Sequence, residues 1–263
     1  MDRKQIFDIG ANNGDDSAYY LRRGHRVIAI EANMTMVEVL RNRFSQELES
    51  GALTLLPVGI ASGEGHSDFW ICDDNPDWSS FDRATASRNG SRHHNQIVPT
   101  RSFGSIIAEY GVPYYCKIDI EGNDRLCLHD MKPGSLPAYL SVEMSHSDGS
   151  TDLHLLKHLG YRKFKIISQV SRSQPLTALA ELSFRLGKRS RELLVRLDRQ
   201  LRGTPTEGDW HFPFGSSGPF GESTPGRWRD YKTTLAVWQR LHDLDLQLGA
   251  GDLGIWYDIH AAL

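Results

Sequence analysis

The residues best placed to do chemistry stand near the start of the chain, in Asp8-Ile9-Gly10-Ala11-Asn12-Asn13-Gly14. The run follows a short apolar stretch and precedes a helical pattern, the setting in which a glycine loop can cradle a ligand. Glycines let the backbone turn sharply and approach a ligand where a Cβ would collide. Glu31 falls 21 positions after Gly10, at the end of the next apolar stretch. A carboxylate there can accept both hydroxyls of a ribose, which points to an adenosine ligand. A dinucleotide loop needs further glycines at positions 12 and 15, where this chain has Asn12 and Asp15. Asp8, Asp15 and Asp16 would repel a pyrophosphate at a helix N-terminus and tolerate an ammonium and a sulfonium. The pattern favours S-adenosylmethionine over NAD. A tight strand–helix turn without a ligand is the plain alternative.

A second group of reactive residues comes later: Asp119, Glu121, Glu143 and His146, with Asp148 beyond. If such a cofactor gave its methyl group to a hydroxyl, the transfer would need alignment and a group that removes a proton. His146 is the favoured general base, because an ordinary imidazole titrates near neutrality. The competing device is a divalent cation such as Mg²⁺ on Asp119, Glu143 and His146, which would lower the pKa of the acceptor. Glu121 has a structural alternative, capping the next helix or pairing with Arg125. His146 has one too, as a loop histidine without a role. His66, His93 and His94 read as loop residues, since adjacent histidines rarely chelate one ion.

The elements that must position these groups follow a strand–helix alternation. Strands are expected at Ile6–Ile9, Val27–Glu31, Leu53–Val58, Tyr114–Ile120, Ala138–Met144, Tyr161–Ser168 and Leu253–His260. Helices are expected at Ser17–Arg23 and Met36–Leu48, closed by Gly24 and Gly51. The early strands are uniformly apolar, as in a parallel sheet covered on both faces. The pattern predicts an α/β, doubly wound domain over 1–263. Two interruptions stand out. Residues 73–96 are polar and read as a loop or lid. Residues 169–252 read as a cap-like insertion between the last two strands. It holds a basic helical stretch (176–202), an aromatic Gly/Pro segment (210–222) suited to a lid or stacking surface, and a second helix (228–248). The basic stretch is read as a solvated face, against docking to a membrane surface or an anionic substrate.

The chain resembles the FkbM family of S-adenosylmethionine-dependent methyltransferases. The resemblance rests on three blocks: Phe7–Gly14 with Val27–Asn33, then Lys117-Ile118-Asp119-Ile120-Glu121-Gly122-Asn123-Asp124, then Leu140-Ser141-Val142-Glu143. It spans residues 5 to 168. It implies a class I methyltransferase (Rossmann-like) fold, a mostly parallel seven-stranded sheet with an antiparallel edge strand. It also implies methyl transfer, most often to oxygen, on sugars, polyketides or other small molecules. The expected cofactor contacts are Asp8, Gly10, Ala11, Asn12, Gly14, Glu31, Ala32 and Asp119. The chain departs from the family pattern at Ala32, where a proline usually follows the acid, and at Asp124, where a glutamate is usual.

Composition narrows the alternatives. The 263 residues are 39% hydrophobic and 24% charged, as in a folded globular protein. Thirty basic residues against 33 acidic ones give a formal charge of −3, with no general attraction for nucleic acid. No apolar run approaches the roughly 20 residues of a membrane span. Cys72, Cys116 and Cys127 match no zinc or redox spacing and read as reduced thiols of a cytoplasmic protein. The N-terminus has no signal-peptide layout. The expected partner is a small-molecule acceptor, a sugar or an anionic metabolite. The oligomeric state, homodimer included, is left open. The rival functions are an N-methyltransferase, an NAD-dependent oxidoreductase and a non-catalytic interaction protein on the same scaffold.

Overall fold

The computed structural model describes residues 4–144, 148–169, 174, 206–213, 215–247 and 257–263. These fall into two compact units, Met1–Val142 and Glu143–Leu263.

In the first unit, β1 (Gln5–Ile9), β2 (Arg26–Ile30), β3 (Leu53–Leu56), β7 (Tyr115–Ile118) and β8 (Tyr139–Glu143) run parallel. Ile6, Phe7, Ile9, Val27, Ile30, Tyr115, Cys116 and Ile118 are all buried, which explains the unbroken apolar runs. Their order in the sheet is β3-β2-β1-β7-β8. Helix α1 (Asp15–Arg22) follows β1, and α2 (Met34–Arg43) follows β2. The single helix expected over Met36–Leu48 breaks at Phe44, and α3 (Ser45–Glu49) resumes after it. The break lets the Phe44 ring pack on the loop before α1, where a Cβ on Gly14 would lie 2.4 Å from Cε2.

The expected loop at 73–96 is shorter than the sequence suggested. A small second sheet pairs β5 (Gly65–Cys72) antiparallel with β6 (His93–Arg101), and β4 (Gly59–Ile60) parallel with β6. Residues 93–96 therefore belong to a strand. They read as loop because they are polar and none is buried, the hairpin's buried residues being Phe69, Ile71, Cys72, Val98 and Thr100. Ala32 and Phe81 pack against the cluster of Phe69, Ile71 and Val98. The connection 73–92 carries a turn at Pro76–Trp78, the short helix α4 (Arg83–Ala86) and a turn at Arg88–Gly90. Helices α5 (Phe103–Tyr110) and α6 (Asp124–Asp130) flank β7 in sequence. Cys72, Cys116 and Cys127 are free and buried.

In the second unit, α7 (Gly149–Leu159) leads to β9 (Lys163–Ser168). After a two-residue hairpin, β10 (Thr206–Glu207) with β11 (Trp210–His211), comes α8 (Tyr231–Gln247), then β12 (Tyr257–Ala262). β12 pairs antiparallel with β9 from Tyr257↔Ser168 to Ala262↔Lys163. One antiparallel strand is thus present, as expected. Helix α8 lies within the stretch expected to form a cap, yet it packs on α7 and β9. Trp238 is buried against Gly149, where an added Cβ would lie 2.7 Å from its Cζ2. Of the 210–222 segment, Phe212 is 1% exposed and so is a core residue, not an open stacking surface. The basic helix expected at 176–202 lies outside the described residues. Among those described, no helix is long and apolar enough to cross a membrane.

Candidate functional site

The glycine loop leaves β1 at its carboxyl end. Gly10 has φ +80°, Asn12 +47° and Gly14 +85°, so the chain turns left-handed three times within five residues. The Gly10 and Ala11 N–H groups both donate to the Ile30 carbonyl, at 2.9 and 3.0 Å. This fixes the loop to the end of β2. A Cβ on Gly10 would lie 1.8 Å from the Asp119 carbonyl oxygen. Protein backbone, rather than a ligand, thus requires glycine at position 10, and the Phe44 ring requires it at position 14. Asp15 is paired with Arg43 at 2.7 Å, so it does not project freely at the start of the helix.

Glu31 follows β2 and is 8% exposed. Its Oε2 accepts the Asn12 N–H at 2.7 Å and its Oε1 accepts the Asn33 N–H at 2.8 Å. Burial raises its carboxyl pKa, and the two N–H donors partly oppose that shift. Asn33 in turn caps α2, its side chain accepting the Thr35 N–H at 3.0 Å. One carboxylate therefore ties the glycine loop to the start of the next helix.

Asp8 is fully buried. Ser17 Oγ donates to its Oδ2 at 2.6 Å, and its Oδ1 lies 3.4 Å from Lys117 Nζ. Its carboxylate faces inward and meets protein groups. Lys117, which the sequence reading left without a role, is the hub of the site. Its ammonium donates to the Gly10 carbonyl at 3.0 Å and lies 3.6 Å from both Asp16 Oδ2 and Asp119 Oδ2. Burial alone would depress the lysine, but Asp8, Asp119 and Asp16 together hold it well above its ordinary value. A lysine inside the four-residue, wholly buried strand YCKI was the available signal. A buried charge demands partners, and Asp8, Asp16 and Asp119 supply them here.

Asp119 follows β7, its N–H donating to the Ile9 carbonyl at 3.0 Å. Its side chain is 26% exposed, the most open carboxylate around Lys117. Beyond it the chain turns at Glu121, which has φ +49°, an uncommon conformation for a non-glycine residue. Asp124 organises this turn by accepting the Ile120 and Gly122 N–H groups, both at 3.1 Å. Burial, reinforced by Asp119, pushes the Asp124 carboxyl up to about 6. Burial likewise raises Glu121 to about 7, with Arg88 opposing and Asp119 adding to the rise. The sequence suggested Arg125 as the partner of Glu121. The ion pair is instead with Arg88, at 2.9 Å.

Arg88 belongs to the 73–92 connection, which reaches both loops. Asn12 Nδ2 donates to Asp77 Oδ1 at 2.6 Å, and Ser80 Oγ donates to the Glu121 carbonyl at 2.6 Å. Arg88 also lies over the Trp78 ring, 4.6 Å from its centroid. Glycine loop, acidic loop and connection thus form one hydrogen-bonded assembly at the carboxyl edge of β2, β1 and β7, where ligands of open α/β sheets bind.

Glu143 is the last residue of β8. His146 lies outside the described residues. His94 pairs with Asp73 at 2.8 Å, and His93 accepts from Arg83 Nε at 3.2 Å, while His66 faces Pro99 across the hairpin. Among the described residues, no group of three or more His, Cys, Asp or Glu side chains is arranged to hold a metal ion.

Comparison with known proteins bears on this assembly. A probable ribosomal RNA small subunit methyltransferase A from Methanospirillum hungatei is 41% identical over 51 residues, 19% of this chain and 20% of that protein. A methyltransferase FkbM structure from Methylobacillus flagellatus has 17% identity and a TM-score of 0.43, covering 63% of this chain and 40% of the other. An S-adenosylhomocysteine complex of a methyltransferase from Geobacter sulfurreducens has 11% identity and a TM-score of 0.36, covering 99% and 84%. The chain thus spans a fifth of the curated relative and two fifths of the FkbM structure. The model of the methyltransferase FkbM domain matches residues 8–165, from Asp8 through Glu31 and Lys117 to β9. That match covers more than half of the 263 residues, and the chain belongs to the FkbM methyltransferase family.

Proposed function

We propose that this protein transfers a methyl group from S-adenosylmethionine to a hydroxyl of a small-molecule acceptor, a sugar or another natural product. The observation that carries the reading is Glu31. Each of its carboxylate oxygens accepts one backbone N–H and keeps a lone pair, which suits the neighbouring hydroxyls of a ribose. The family match supports the reaction class. The residues fit the cofactor: Glu31 holds the ribose, Ala32 borders the base, and Gly10, Ala11, Asn12 and Gly14 shape the loop above β1. Asp119, partly open, accepts the ammonium of the amino-acid end. Asp8 acts from behind the loop, through Ser17 and Lys117. When bound, the cofactor supplies a methyl group activated by its sulfonium.

The protein aligns the acceptor, excludes water and takes the hydroxyl proton. His146 is the proposed base. Glu121 is the second, favoured by a carboxyl near 7, where a base works best at neutral pH. Glu143 with Asp119 and His146 offers a divalent-cation route instead. The 73–92 connection serves as the lid, and the reaction takes place in the cytoplasm.

Calorimetric titration with S-adenosylhomocysteine, with and without Mg²⁺, tests the reading. Micromolar binding that Glu31→Ala abolishes is expected. A folded protein that ignores the ligand would overturn it in favour of an interaction protein on a methyltransferase scaffold. A separate Mg²⁺ signal would favour the cation route. Once an acceptor is found, loss of activity in His146→Ala speaks for oxygen over nitrogen as the methylated atom.

A further inference from the structure

We infer that Lys117 is a positioning residue for the amino-acid end of the cofactor, acting through the Gly10 carbonyl and the Asp119 carboxylate. The inference rests on the cofactor reading above.

The carboxyl ends of β2, β1 and β7 lie side by side in that order. With a ribose at Glu31, beyond β2, the rest of the ligand extends across the glycine loop after β1 toward Asp119 after β7. Lys117 lies beneath the far half of that path. It is 4% exposed and cannot itself be reached. Its ammonium carries three protons for a neighbourhood of one carbonyl and three carboxylates: Gly10 O at 3.0 Å, Asp8 at 3.4 Å, and Asp16 and Asp119 at 3.6 Å. Two of these, Asp8 and Asp16, are buried and serve as fixed counter-charges from β1 and α1. The other two partners are the groups that border the ligand path. Gly10 must hold φ +80° with no room for a Cβ against the Asp119 carbonyl oxygen, so the loop and the Asp119 backbone share one close-packed contact. Lys117 bonds to one side of that contact and attracts the other.

Asp119 Oδ2 is thereby drawn inward, leaving the outer part of a quarter-exposed side chain for an ammonium. Remove the lysine charge and two things change together. The Gly10 carbonyl loses its donor, and three carboxylates lose their shared cation. The glycine loop would still be tied to β2 through Ile30 and Glu31, so the nucleoside half of the site has its own support. The loss should fall on the amino-acid half alone.

Two ligands separate the halves: S-adenosylhomocysteine, and 5′-methylthioadenosine, which lacks the amino-acid end. Their affinities would be measured by calorimetry on wild type, Lys117→Met and the double variant Lys117→Met/Asp8→Asn. The double variant removes one stranded charge while its amide oxygen still accepts from Ser17. We expect the folded variants to lose about tenfold or more in S-adenosylhomocysteine affinity, as for a contact displaced by about an ångström, and to hold methylthioadenosine close to the wild-type value. Equal loss of both ligands, or retention of both, overturns the positioning role. Should neither lysine variant fold, Lys117→Arg carries the same test, since it keeps the charge but displaces it from the Gly10 carbonyl: only the homocysteine ligand should weaken. Wild type that binds neither ligand removes the cofactor reading, and this inference with it. That result is distinct from wild type binding both while the variants show no selectivity.

Discussion

Asp77 accepts a hydrogen bond from the Asn12 side-chain amide at 2.6 Å, joining residues 65 positions apart. The bond links the 73–92 connection to the tip of the glycine loop. The bond is open to solvent, so it adds little to overall stability, on the order of 0.5–1 kcal/mol. Its effect should appear in ligand exchange. Asp77→Ala is expected to leave the melting temperature nearly unchanged and to speed dissociation of S-adenosylhomocysteine by roughly threefold to tenfold, as loss of about one modest hydrogen bond allows. Stopped-flow displacement would measure this, and an unchanged off-rate would remove the connection as a lid.

The glycine loop gives a paired prediction at one backbone geometry. Gly10 has φ +80° and Gly24 has φ +81°, but a Cβ on Gly24 meets nothing within 4 Å, whereas on Gly10 it lies 1.8 Å from the Asp119 carbonyl. Gly24→Ala should cost about 1–2 kcal/mol, the left-handed penalty alone. Gly10→Ala should cost upwards of about 3 kcal/mol, because backbone has to move as well. Urea unfolding of the two variants isolates the packing contribution. Equal losses would show that the loop yields freely.

Glu121 sets a pH-dependent contribution. Its carboxyl is raised by burial from 4.5 to about 7, so the folded state holds the proton more tightly than the unfolded chain does. The stabilisation is complete below about pH 4.5 and is lost as the pH climbs through about 7. His260, buried and lowered to about 3, contributes a slope of the opposite sign at acidic pH. Comparing wild type with Glu121→Gln cancels that term, since both carry His260. The variant should gain on wild type by about 1–3 kcal/mol in unfolding free energy between pH 5 and 7.5. A constant difference across that range would show that Arg88 keeps Glu121 ionised throughout.

Trp238 tests the place of α8. It is 5% exposed, packs on Gly149 and meets the Tyr257 ring edge-on at 6.3 Å between centroids. Trp238→Ala should destabilise the protein by about 3–5 kcal/mol, as for a large core aromatic. A loss below about 1 kcal/mol, the size expected at a surface position, would mark α8 as a peripheral cap.

Much of the frame was legible from local pattern. Mostly apolar runs marked β1, β2, β7 and β8 to within two residues, because parallel strands covered on both faces carry few polar positions to blur them. The hairpin of β5 and β6 was not legible. Its strands bury only a minority of their side chains and resemble loop by composition. The kink at Phe44 was equally hidden, since the ring's partner, Gly14, is thirty residues earlier. Gly10, Asn12 and Glu31 were recognised by spacing, since a strand–loop–helix unit keeps them within one crossover.

The chemical inventory is local: a glycine loop after an apolar strand, an acid at the end of the next, and an acidic turn after a third. Those are properties of short segments, and short-range rules read them. Tertiary structure alone decided what each group faces. It turned Asp8 inward to Ser17 and Lys117, gave Glu121 to Arg88 rather than Arg125, and made Gly10 a requirement of the Asp119 carbonyl. These pairings join residues from 9 to 109 positions apart. The reason is physical. Burial strips water from a charge or a carbonyl and leaves it to the nearest partner in space, and nearness in space is set by strand order, not by distance along the chain.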